Sequence, residues 1–130
     1  MKYMLMILGK QSDYEALRGE KTDGPAWTEQ DRQAMFDFMG AVNKDLAEAG
    51  ELIDAQGLTE PAEGRLVTST KDGEPVVTDG PYGEAKEVLA GYWLLECESI
   101  ERATEIAARV YQCPVPEGAP NYPVVVRPVG

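Results

Sequence analysis

The sequence predicts an α+β fold, a mixed or antiparallel sheet with two long helices on one face. Three observations predict it. Short runs of apolar and β-branched residues recur from Lys2 to Val126 at strand length. Two longer stretches repeat their apolar residues every three or four positions. The two kinds follow one another as strand, helix, strand, hairpin, strand, helix, strand.

Lys2 to Leu8 is apolar at both parities, with Tyr3, Leu5 and Ile7 on one face and Met4, Met6 and Leu8 on the other. Both faces of this strand are expected to be covered. Residues 9–27 scatter Gly9, Gly19, Gly24 and Pro25 among charges, which predicts a long loop, a flap or a partly disordered segment. Trp27 is expected to anchor the end of that loop just ahead of Thr28, the N-cap of the first helix, with Asp31 three residues on. Stacking on a ligand is the other role open to its ring. From Thr28 to Ala49 the positions Met35, Met39, Val42, Leu46 and Ala49, joined by Phe36 and Phe38, carry the helical period. Gly50 suits the left-handed residue that stops the helix and feeds a second strand, Glu51 to Ala55.

Gln56 to Gly64 is a connector. Arg65–Thr70 and Glu74–Thr78 flank Lys71-Asp72-Gly73, a hairpin signal. The stretch Val76–Glu98 then reads as a strand, a turn capped by Asp79 with Pro81 at its first helical position, a short helical turn over Glu84–Leu89, and a strand released at Gly91 into Tyr92–Leu95. Ser99 caps the second helix, whose stripe is Ile100, Ala103, Ile106, Ala107 and Val110 and which ends at Cys113-Pro114. Val124–Pro128 is the last strand, and Pro128 places it at or near an edge. Two helices can cover one face only, so the bare face is expected to pack on a second copy, giving a homodimer.

At 130 residues the chain is read as one domain, 1–130. No stretch reaches the roughly 18 apolar residues of a membrane helix, and Tyr3–Leu8 is too short for the apolar region of a secretory signal, so a cytoplasmic location away from membranes is expected. Twelve basic against 23 acidic residues give a net charge of −11 with no basic stripe, which speaks against direct nucleic-acid binding. There is no histidine, and Cys97 and Cys113 lack ligand spacing, so no metal site is expected and the two cysteines read as thiols in a reducing compartment. Gly80-Pro81-Tyr82-Gly83 lacks the glycine spacing of a phosphate cradle, and no other cofactor fingerprint occurs.

The motif Asp79-Gly80-Pro81-Tyr82 is supported by Lys2-Tyr3-Met4-Leu5-Met6, Leu46-Ala47-Glu48-Ala49-Gly50, Asp54–Leu58, Val77–Leu95 and Val126-Arg127-Pro128-Val129. On these residues the whole chain resembles the YCII-related domain family, in particular the subgroup with an Asp-Gly-Pro-Phe (DGPF) motif. The resemblance implies a ferredoxin-like fold of the dimeric α/β barrel kind, with a cleft between sheet and helices. It implies no known reaction. A His and Asp pair proposed as catalytic in another branch has no histidine here; the matching helix position falls near Met39, and Asp54 would be the retained acid. Tyr82 replaces the motif's Phe and adds a hydroxyl.

Four residues are candidates for catalysis: Asp54, Asp79, Tyr82 and Glu84. Asp54 lies on an apolar strand, where an unpaired carboxylate is costly, so it is either a general base or a strand-end residue facing water. Asp79 can accept N–H bonds from its turn, a structural role that would make it a poor base. Tyr82, Glu84, Lys86, Glu87 and Tyr92 are the expected ligand cleft, with a solvated charged face as the plain alternative. Two functions stay open: a small-molecule-binding or enzymatic domain, and a non-catalytic regulatory or protein-interaction domain. For the second, the resemblance implies a link to sigma-factor-dependent transcription.

Overall fold

The computed structural model describes residues 1–79 and 86–130. In chain order they form β1 (Lys2–Gly9), α1 (Gln11–Leu17), α2 (Glu29–Glu48), β2 (Leu52–Gly57), β3 (Arg65–Ser69), β4 (Pro75–Asp79), β5 (Val88–Glu96), α3 (Ile100–Tyr111) and β6 (Val125–Pro128), with a 3₁₀ turn at Pro61–Glu63. β2, β5, β1 and β6 make a four-stranded sheet in that order, and β3 and β4 make a separate two-stranded one. Every pairing is antiparallel. The result is an α+β fold, as the element order predicts.

The apolar parity of β1 decides how the sheet is used. Leu5 stands opposite Trp93 of β5 and Val126 of β6, and Tyr3 opposite Leu95. These side chains face α2 and α3 and form one core with Val42, Leu46, Ala103, Ile106, Ala107 and Val110. Leu5 and Leu95 are wholly buried. Met4 and Met6 alternate to the other face, opposite Leu94, Tyr92 and Val125, and are only half-buried.

The helix ends follow their caps. The Thr28 hydroxyl accepts the Asp31 N–H at 3.1 Å while the Asp31 carboxylate accepts the Thr28 N–H at 2.9 Å, so two orphan donors of α2 are satisfied. Gly50 stops that helix with φ +74°. Ser99 Oγ accepts the Arg102 N–H at 3.1 Å to start α3.

Three expectations are corrected. The four-stranded sheet is open, ending at β2 and β6, so the dimeric α/β barrel implied by the resemblance is not what this chain forms. One chain supplies four strands, where closing round a filled interior takes about eight, and a dimer that would supply the rest is not in evidence. Residues 9–27 are not a structureless loop: α1 forms because the Asp13 carboxylate accepts the Lys10 N–H at 2.7 Å. The rest of the segment is tied down by the Trp27 N–H on the Ala16 carbonyl at 2.9 Å and by the Arg32 guanidinium on the Leu17 and Trp27 carbonyls at 3.0 and 3.2 Å. Finally, Val88 and Leu89, expected in a helical turn, already belong to β5, because pairing with Gly9 and Leu8 outweighs the weak local propensity of so short a run.

The hairpin turns at Gly73, where φ is +85°, as the Asp-Gly pair predicts. β6 is an edge strand, which suits Pro128.

Candidate functional site

A cleft of about 970 Å³ opens between the helical layer and one end of the four-stranded sheet. Its floor is Ile7, Ala55, Gly91 and Trp93, and its walls are α1, the first half of α2, and the chain from Tyr111 to Val124. Local chemistry explains the opening. Met35, Phe36, Phe38, Met39 and Val42 line it from α2, whereas Leu46 further along the same helix is buried away from it in the core. Gly91 matters to the floor. A side chain there would place its Cβ 2.9 Å from the Gln56 carbonyl oxygen, so glycine lets β2 and β5 approach at that point.

The cleft collects the aromatic residues of the chain. Both tryptophans, both phenylalanines and the tyrosines Tyr14, Tyr92, Tyr111 and Tyr122 border it. Trp93 is fixed by its Nε1–H, which donates to Asn43 Oδ1 at 2.7 Å. A polar corner is built at the start of α1. Tyr122 donates to Asp13 Oδ2 at 2.9 Å, and the Tyr14 hydroxyl is shared between the carbonyls of Leu58 at 2.9 Å and Ala90 at 3.2 Å.

Burial and the charge of Asp13 hold the Tyr14 phenol above its usual range. Tyr122 is pushed up further, by burial first, then by its bond to Asp13 and the negative charges of Asp13 and Glu87. Burial raises the Cys113 thiol, which also lines the cleft. These groups are therefore protonated at neutral pH and serve as hydrogen-bonding or apolar surface rather than as nucleophiles. The arrangement is suited to holding an apolar molecule.

The residues singled out from sequence fall in several places. Asp54 is half-buried on β2 and accepts the Tyr92 hydroxyl at 2.9 Å, its neighbour Ala55 N–H at 2.9 Å and the Gln56 amide at 3.1 Å. By strand alternation this cluster is on the sheet face away from α2 and α3, although Tyr92 also borders the cleft through its place in the floor strand. The bond to Asp54, then burial and the Asp54 charge, raise the Tyr92 phenol. Lys86 and Glu87 are exposed just before β5, and Glu87 bears on the cleft through the field it exerts on Tyr122. Asp79 ends β4 opposite Arg65; its side chain, and Tyr82 and Glu84 altogether, lie outside the described residues. Met39 lines the cleft.

Asp13, Tyr14 and Tyr122 were not among the sequence candidates. The spacing of Lys10 and Asp13 around a helix start is a signal for the first; nothing local marks Tyr122, which meets Asp13 across 109 positions of chain. Among the described residues, no group of three His, Cys, Asp or Glu side chains is gathered to hold a metal. Among them, too, no helix is long and apolar enough to cross a membrane.

Fold and site together define an α+β protein with an aromatic-walled cleft on the helical side of an open antiparallel sheet. The family model of the YCII-related domain matches residues 1–124, and the chain belongs to that family. It is also similar to an uncharacterized protein of Rhizobium meliloti (strain 1021), with 32% identity over 82 residues. That similarity covers 63% of this chain and 65% of the relative.

Proposed function

We propose that the chain, as one domain of the DGPF-type subgroup, binds a small apolar molecule in the aromatic cleft. The observation that carries this is the concentration of both tryptophans, both phenylalanines and the tyrosines Tyr14, Tyr92, Tyr111 and Tyr122 around one opening of about 970 Å³. Ligand sites are mostly apolar with a few placed polar groups, and here the polar groups are Asp13, Tyr14 and Tyr122. A homodimer formed through the uncovered sheet face goes with this reading, supported by Met4, Met6, Leu94 and Val125 on that face. Two free cysteines are in keeping with a reducing, cytoplasmic setting.

Calorimetric titration with 2-naphthylmethanol, a neutral planar probe, tests the cleft. One site per chain is expected, lost in Met39→Trp, where the larger ring fills the opening. Equal binding by Met39→Trp, or no binding to the parent, overturns the proposal. Light scattering tests the dimer: the expected mass is twice 14.2 kDa, and a mass of one chain refutes it.

The regulatory reading is favoured by a different observation. The β3–β4 hairpin exposes Leu66, Val67, Val76 and Val77, and a two-stranded sheet with such residues in water is marginal by itself. Contact with another protein would cover them.

A further inference from the structure

The charge around the cleft narrows the chemistry of its ligand. Among the described residues, three charged side chains line it, Asp13, Asp23 and Lys10, and Glu87 acts on the same corner through Tyr122. Carboxylates outnumber the single ammonium. Among the described residues, the Asp13 carboxylate accepts from neutral donors, the Lys10 backbone N–H and the Tyr122 hydroxyl, and no ion pair there cancels its negative charge. The hydroxyls of Tyr14 and Tyr122 are both spent as donors, which leaves their rings, with those of Trp27, Phe36 and Trp93, to meet a ligand. Aromatic faces carry negative electrostatic potential and attract cations. The chain as a whole, at −11, draws cations toward such a concavity and repels anions.

We infer that the cleft takes an organic cation, an amine or quaternary ammonium carried on a planar apolar body. This rests on the cleft being a ligand site. The apolar body packs on the rings and on Met35 and Met39, whose flexible side chains adapt to its outline. The positive group sits toward Asp13, where carboxylate and rings act together in a partly water-excluded corner.

Three probes sharing one ring system test it by calorimetry: (2-naphthylmethyl)trimethylammonium, neutral 2-naphthylmethanol and naphthalene-2-sulfonate. The cation is expected to bind about tenfold tighter than the sulfonate and measurably tighter than the alcohol, with the advantage shrinking as salt is raised. Asp13→Asn keeps an acceptor oxygen for Lys10 and Tyr122 and should cut the cation's advantage over the alcohol about threefold. Asp23→Asn, on an exposed stretch, should reduce it in the same direction. Equal or tighter binding of the alcohol or sulfonate overturns the inference while the cleft stands, and so does a cation advantage untouched by salt and by both variants. If none of the three binds, the cleft reading falls and this inference with it.

Discussion

The helix-covered face of the four-stranded sheet is packed shut at one end and open at the other, and the residues that face it differ accordingly. At the shut end α3 presents Ala103 and Ala107, and with Ile106 these lie buried on the face that packs on β1 and β6. Small residues let a helix settle onto the sheet at interior density. At the open end the first half of α2 presents Met35, Phe36, Phe38 and Met39. Phe36 is 58% exposed, although it belongs to the same helix whose Val42 and Leu46 are buried. Phe38 and Met39 still touch the core, while Phe36 is left at the opening. The contrast teaches that an apolar periodicity does not by itself say whether a helix closes a core or roofs a cleft; what packs opposite it does.

Breaking the shut end should have the largest effect. Leu95→Ala removes a wholly buried side chain from the centre of the core, and a loss of about 2–5 kcal/mol is expected in denaturant melts. Binding of 2-naphthylmethanol to the fraction that remains folded should be little changed.

The open end is sharpened by Gly91→Ala. Its methyl meets the Gln56 carbonyl oxygen at 2.9 Å, and because that atom is backbone, β2 and β5 must part. A cost of about 1–3 kcal/mol is expected. Since Gly91 is part of the floor, the probe should also bind more weakly, a combination that Leu95→Ala should not show.

The smallest effect is electrostatic and belongs to the shut end. Arg102 of α3 grips Glu51, just before β2, through two bonds of 2.9 Å. Those bonds, foremost, together with the guanidinium charge, hold the Glu51 carboxyl below its ordinary range against the opposing effect of burial. The Arg102 guanidinium is raised in return. A carboxyl lowered in the folded state binds fewer protons there than when unfolded. Its contribution to stability is therefore full above the ordinary glutamate range and is lost as pH falls from that range through the lowered value. Glu51→Gln should flatten this acid limb of the stability curve. Melting temperatures of variant and parent measured from neutral pH downward should converge in acid; a constant gap would refute the assignment.

Much of the fold was legible from local chemistry. Thr28 with Asp31, Ser99, Gly50, and the Asp72-Gly73 turn each fix a backbone end through bonds or dihedrals made within a few residues, and the structure follows them. The parity of Tyr3 and Leu5 against Met4 and Met6 separated two sheet faces correctly, though not which of them the helices would bury. The seven residues of α1 were missed because so short a helix carries less than two full apolar repeats, and its Gly-rich surroundings resemble a loop.

By itself, then, the sequence determined the order of the six strands and two long helices, the caps at Thr28 and Ser99, the Asp72-Gly73 turn and the edge position of Pro128, because those depend on neighbours in the chain. Whether the sheet closed on itself could not be read there, since closure depends on how many strands pair and how β2 and β6 end up placed. Nor could the corner of the cleft. Asp13 and Tyr122 are bonded across 109 positions, and Asp54 and Tyr92 across 38; each pair exists only once antiparallel registry and helix packing have put distant strands and loops side by side. The aromatic residues are dispersed along the chain from Tyr14 to Tyr122 with no common spacing, and only the tertiary structure gathers them, because α1, α2, β5 and the chain after α3 meet only when packed.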